Sequence, residues 1–185
     1  MFYILFHKYF GEYVYMENTL AKTASAFDPT AKTNLFDYIG FYAPDAMLLL
    51  TGILLLNRVK FLAVYIVFYF VNHWVNRILK DTIRQPRPSG SRPLIGEKYP
   101  KTSFGMPSYH SQKIWFAITF LYLVKANVYL WIGGLFIAFL TMYQRWKYRA
   151  HSITQLAVGA VLGASIANLG YYLANLYIKD HPLIL

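Results

Sequence analysis

The sequence predicts an all-α, polytopic membrane bundle of about five transmembrane helices, preceded by an N-terminal interfacial segment. Three observations carry this. The chain of 185 residues is 57% hydrophobic and 19% aromatic. Its apolar residues come in long blocks instead of the short periodic runs of a soluble domain. Its cations gather at the block ends: Arg77, Lys80, Arg84, Arg87, Arg92, Lys98, Lys101 and Lys113 in one stretch, Arg145, Lys147 and Arg149 in another. Those two stretches hold most of the 18 Lys and Arg residues behind the formal net charge of +10. Attraction to anionic lipid accounts for a general excess of positive charge, but the clustering points to a local anion site. With no cysteine there is neither a disulfide framework nor a thiolate metal site.

The elements follow in order. MFYILFHKYFGEYVYM lacks a basic start and a small-residue cleavage site, and His7 and Lys8 break its apolar run. It is read as an aromatic-rich interfacial segment. Residues 17–38 are polar, so 1–38 forms an N-terminal region and 39–180 the membrane-embedded domain. Spans are expected over 41–57, 61–79, 110–124, 127–144 and 152–178. The connection from 80 to 109 is long and rich in Pro, Gly and basic residues, a length usually reserved for function or disorder. Asn72, His73 and Asn76 interrupt the second span and need partners within the bilayer; interhelical hydrogen bonding is the expected role. Gln155, Gly159, Gly163 and Ala167 recur every four residues on the last span, a stripe of small residues suited to close helix packing.

Alternation of the spans puts the ends of the second and fourth, and the starts of the third and fifth, on one membrane face. Three short stretches meet there: Lys80-x6-Arg87-Pro88, GMPSYHSQ (105–112) and RWKYRAHSITQ (145–155). Each has an ordinary explanation. Lys and Arg anchor span ends, Pro107-Ser108 is a normal helix start with Ser as N-cap, and a histidine near an interface is common. Together they supply what phosphoryl transfer requires: fixed cations for non-bridging oxygens, a nucleophile and a proton donor. The helix start at Ser108 adds backbone N–H groups and the positive end of a helix dipole. His151 and Gln155 are four apart and share a helix face, so Gln155 can accept a hydrogen bond from one ring nitrogen of His151 and leave the other for attack.

The order Lys-x6-Arg-Pro, Pro-Ser-x-His, Arg-x5-His resembles the type-2 phosphatidic acid phosphatase superfamily, which shares its site with vanadium haloperoxidases. FGMPSYHSQKIW, HSITQLAVGAVLGA and NRILKDTIRQPRP are similar to its dolichyl diphosphate phosphatase branch, over roughly residues 38–175. The superfamily usually carries Gly and Asp where this chain has Tyr109 and Gln155; Gln155 agrees with the branch, whereas Tyr109 departs from it. A ring at 109 is expected either to narrow the pocket or to point towards lipid.

The resemblance implies that His151 attacks the terminal phosphorus and forms a phosphohistidine. Lys80, Arg87, Arg145, Ser108 and the amides of Tyr109 and His110 then hold the phosphoryl oxygens, and His110 serves as acid and then base. Arg84 and Arg149, with Lys98 and Lys101, are candidates for a second phosphate, and each is equally a solvated loop charge. No cofactor or metal is expected, because Asp81 and Glu97 are too few for a hard-cation cage. The partner is a membrane lipid, a polyprenyl or dolichyl diphosphate, and the resemblance implies an endoplasmic reticulum membrane with the site facing the lumen. Two rival readings are phosphatidate or another lipid phosphate as substrate, and a non-catalytic phospholipid binder that Gln155 and Tyr109 would favour. Nucleic-acid binding is excluded by placement, since the cations interleave with spans instead of lying on a soluble module.

Overall fold

A computed structural model describes residues 33–92 and 104–180. The interfacial segment expected at the N-terminus lies outside them, as do Lys98 and Lys101. The described residues form five helices: α1 Leu35–Leu54, α2 Val59–Ile83, α3 Tyr109–Lys125, α4 Val128–Lys147 and α5 Ile153–Asp180. They match the five expected spans in order, and the protein is an all-helical membrane bundle. α2 and α5 are long and apolar enough to cross a bilayer by length and composition; the 25 residues of α2 rise about 37 Å, more than a hydrocarbon core of about 30 Å.

Local chemistry sets the helix ends. Ser108 caps α3, its side-chain oxygen accepting from Ser111 N. Asn127 caps α4 by accepting from Tyr129 N at 3.0 Å and Leu130 N at 3.1 Å. α2 ends at Arg84, which takes a left-handed conformation (φ 52°) and donates its N–H to Lys80 O. Pro86 and Pro88 then preclude continuation. α1 begins at Leu35, slightly before the boundary expected at 38/39. The reason is Asp37, which looks like part of a solvated loop in the sequence but is buried. Its carboxylate accepts from Lys147 Nζ at 2.7 and 2.8 Å and from Tyr148 Oη at 3.1 Å.

α3 is the axis of the bundle: α1, α2, α4 and α5 all pack on it, α5 most extensively. Ile114, Phe116, Ala117, Ile118, Phe120 and Leu121 of α3 are buried. The outer helices instead expose large apolar side chains, among them Ile53, Phe70, Trp74, Phe136 and Val161. An apolar exterior around a filled interior is what a lipid solvent selects. Within it, Gln112 locks α3 to α2: its amide donates to Asn72 O and Oδ1 at 2.9 Å and accepts from Asn76 Nδ2 at 2.7 Å. Asn72 and Asn76 are thus interhelical partners, as the sequence suggested.

The small-residue stripe packs α5 against the start of α3. A Cβ at Gly159 would meet Ser108 O, and one at Gly163 would meet the backbone of Gln112, each closer than real Cβ contacts allow. Gly163→Ala is expected to push the two helices apart and cost about 1–3 kcal/mol, read as a lower unfolding midpoint in detergent; an unchanged midpoint would show that the contact has room to give.

Candidate active site

All three cationic or histidine-bearing stretches meet at one end of the bundle, where α2 and α4 finish and α3 and α5 begin. Backbone bonds tie them. Gly105 N donates to Gln85 O at 2.7 Å, Ser108 N to Gln155 O at 3.0 Å, and Arg92 N to Tyr148 O at 2.9 Å. Side chains add further ties: Asn76 Nδ2 donates to Pro107 O at 3.3 Å, and Ser111 Oγ to Leu156 O at 2.7 Å. Ser152 Oγ accepts from Gln155 N at 3.2 Å and so caps α5 just beyond His151.

His151 is the centre. It is 2% exposed and follows a turn in which Ala150 N and His151 N both donate to Arg145 O. Its Nε2 lies 3.2 Å from Arg87 Nη1. A guanidinium only donates, so Nε2 must present its lone pair and the ring proton must sit on Nδ1. Nδ1 has two acceptors to receive that proton: Gly105 O at 2.9 Å and Gln155 Oε1 at 3.3 Å. The tautomer is therefore dictated by its neighbours, with the basic nitrogen turned to the cations.

Gln155 is 1% exposed and satisfies every polar atom of its amide. Oε1 also accepts from Ser152 N at 3.2 Å, while Nε2 donates to Gln85 Oε1 at 3.0 Å and Pro86 O at 2.9 Å. This residue bridges the first and third stretches. Gly105 passes between them without a side chain; a Cβ there would strike the Gln155 amide.

The cations converge. Arg87 Nη1 also donates to Ala150 O at 2.6 Å, and Lys80 Nζ donates to Phe104 O at 3.0 Å. Arg145 is 1% exposed, the largest side chain so fully buried. His151 lies between α4 and α5, and its pKa is driven well below the ordinary histidine value, first by burial, then by Arg87, Arg145 and Lys80, and last by His110. The native state favours neutral His151, whereas the unfolded chain takes up its proton near 6.5. Below that value the unfolded state binds more protons, so stability falls as pH drops. Neutral, attack-competent His151 persists to lower pH than a solvated histidine. The acid limb of activity is thus expected below about 6.5; a limb centred at or above that value, measured with saturating substrate, would contradict this.

Not every predicted residue joins the cluster. Arg84 is exposed and its Nε turns back to Asp81 O at 2.8 Å, away from the other site side chains. Arg149, in a left-handed conformation (φ 51°), reaches across to Ser89 O at 3.3 Å at the rim. Tyr109 is fixed by two contacts: its hydroxyl lies 3.0 Å from His73 Nδ1 on α2, and the Lys113 ammonium sits 5.0 Å above its ring. Three contributors were not anticipated: Gln85 and Gly105, as partners of Gln155 and His151, and Phe41 of α1, whose ring lies 5.4 Å from that of His110. The unbroken run QPRP hints at a built turn around Gln85, but nothing local to residue 41 marks it. Among the described residues there is no group of three or more His, Cys, Asp or Glu able to hold a metal ion.

The chain is similar to known proteins in sequence and in fold. Dolichyldiphosphatase 1 of Rhinolophus ferrumequinum is 36% identical over 114 residues, covering 52% of this chain and 46% of that protein. The Homo sapiens protein of the same name is 34% identical over the same shares. The chain thus spans about half the length of these curated relatives. Dolichyldiphosphatase of Saccharomyces cerevisiae is 25% identical over 189 residues, covering 88% of this chain and 79% of that protein. In fold, the chain is similar to a transmembrane PAP2-type phosphatidylglycerolphosphate phosphatase from Bacillus subtilis. The TM-score is 0.57 at 20% identity, over 81% of this chain and 76% of that one. The sequence pattern of the PAP2 superfamily matches residues 59–179, from the first residue of α2 to the last turn of α5. The chain therefore belongs to the PAP2 superfamily.

Proposed function

We propose that the protein is an integral-membrane lipid phosphatase that hydrolyses a polyprenyl (dolichyl) diphosphate to the monophosphate and inorganic phosphate. The observation that carries this reading is His151: buried, its proton held on Nδ1, and its Nε2 lone pair directed into a group of cations. The relatives named dolichyldiphosphatase support the choice of substrate.

Nε2 of His151 attacks the terminal phosphorus in line; an N–P bond forms and the bridging P–O bond breaks. His110 gives its proton to the departing monophosphate oxygen. His110 then takes a proton from water, whose oxygen attacks the phosphohistidine; phosphate leaves and His151 is restored. Lys80, Arg87 and Arg145 neutralise the phosphoryl oxygens. Ser108 and the amides of Tyr109 and His110, in the first turn of α3 where no helical carbonyl precedes them, complete the cradle. Arg149 at the rim is assigned to the second phosphate, with Arg84 as a peripheral charge beyond it. The isoprenoid tail stays in the bilayer. The cellular reading is an endoplasmic reticulum membrane with the site facing the lumen, where the product rejoins the lipid carrier cycle of N-glycosylation.

The protein's own cations supply the charge stabilisation in this scheme, so no metal is required. Full turnover in EDTA is expected, and a strict Mg²⁺ requirement in the phosphate-release assay would contradict it. The substrate is tested by measuring phosphate release from dolichyl diphosphate and phosphatidate side by side, with His151→Ala as control. Faster release from dolichyl diphosphate, abolished by the substitution, is the expected result; a preference for phosphatidate would reassign the substrate.

A further inference from the structure

α1 precedes the part of the chain that the superfamily pattern covers, which begins at residue 59, yet it reaches the site. Asp37, Phe41 and Asp45 are spaced by four and line one face of α1. The two carboxylates at the ends of that stripe are anchors. Asp37 is held by Lys147 and Tyr148 at the end of α4, and Asp45 pairs with Lys113 of α3. Gly40 brings the helices together, because a Cβ there would meet Gln144 Cβ at 2.8 Å and Leu140 O at 2.9 Å. The register of α1 on α3 and α4 is thus set on either side of residue 41.

Between the anchors, the Phe41 ring faces two site residues at once. The Arg145 guanidinium carbon lies 5.6 Å from its centroid, within cation–π range. The His110 ring lies 5.4 Å away at 39°. A guanidinium that rests its face on an aromatic ring keeps its N–H edge for anions. An imidazole with a two-fold-soft ring torsion gains a fixed plane from the same contact.

We propose that Phe41 is a positioning residue of the active site: its ring is the shared shelf on which Arg145 and His110 are held for the same phosphoryl group. This rests on the roles given above to Arg145 and His110. Phe41 touches no reacting atom; it acts through these two side chains. An aliphatic residue of similar bulk fills the space but offers neither a π face to the cation nor a flat surface to the imidazole. The helix buried against the site is therefore part of the machinery and not only a wall of the bundle.

The test compares wild type, His151→Ala, Phe41→Ala, Phe41→Leu and Phe41→Tyr as purified full-length chains. It measures phosphate release from dolichyl diphosphate and, separately, affinity for orthovanadate, a probe shaped like the transferring phosphoryl group. Phe41→Leu is expected to lower kcat about tenfold, the scale of one desolvated cation–π contact, with KM changed little because the tail is bound elsewhere. Phe41→Tyr keeps the ring and is expected to restore turnover, and orthovanadate affinity is expected to fall in Phe41→Leu and return in Phe41→Tyr. Wild-type kcat and wild-type orthovanadate affinity in Phe41→Leu would overturn the proposal, as would a loss confined to KM. Should Phe41→Ala fail to fold, Phe41→Leu carries the test alone. An inactive wild-type protein would refute the assigned function instead, and the orthovanadate comparison would then decide the role of Phe41 by itself.

Discussion

His151→Ala is expected to lower phosphate release by about 10⁴-fold or more, the scale seen when a nucleophile that acts as part of a unit is removed. The geometry leaves no substitute. Nε2 of His151 is turned to Arg87, while Nδ1 is committed to Gly105 O and Gln155 Oε1. The cations would still bind a phosphate without it, so the variant should keep its affinity for the lipid headgroup while losing turnover. Its bundle should also survive, because the bonds that gather the site (Gly105 to Gln85, Ser108 to Gln155, Ser111 to Leu156) do not pass through this side chain. Retention of a tenth of wild-type activity in folded, purified His151→Ala would refute its assignment as nucleophile.

Gln155→Glu is expected to be severe, although the superfamily commonly carries a carboxylate at this position. The reason is the surroundings of Nε2. Two of the four hydrogen bonds of the Gln155 amide are donated, to Gln85 Oε1 and Pro86 O. A carboxylate oxygen in that place would face two acceptor oxygens at about 3 Å in a site 1% exposed to solvent. Gln85 can turn its amide to donate, but Pro86 O cannot, so the carboxylate must take up a proton or the turn bearing Arg87 must move. Either outcome is expected to cost about 2–4 kcal/mol of stability. A shift of the Arg87 turn by about 1 Å would slow turnover roughly 10²-fold. Wild-type stability and turnover in Gln155→Glu would show that the amide bridge between the two stretches is dispensable.

What was legible in the sequence depended on how local its cause was. Ser108 as N-cap and the Gly159–Gly163 stripe on α5 follow rules that act over a few residues, and the structure agrees with both. Asn72 and Asn76 could be paired with another helix because polar side chains within a span are costly without partners. The meeting of Lys80, Arg87, Arg145 and His151 followed from counting spans, since alternation alone puts those helix ends on one face. The central position of α3 was not legible. At 17 residues it looks like the weakest span, yet the other four helices pack on it and most of its residues are buried. Asp37 was assigned to a polar connection because an isolated Asp before an apolar block reads as solvated; its partner Lys147 lies across the bundle on α4. Phe41 is one aromatic among many, and only the register set by Asp37, Gly40 and Asp45 turns it towards His110. The course of Tyr109 depended on His73, a residue whose partner was expected but could not be named.

The most direct test of the central claim is to trap the covalent intermediate. The full-length protein, turning over dolichyl diphosphate labelled in its terminal phosphate, would be quenched at alkaline pH and its peptides sequenced by mass spectrometry. Label on the His151 peptide, lost in His151→Ala, is the result this account predicts. Steady release of labelled phosphate with no labelled histidine, or with the label on a residue other than His151, would contradict it.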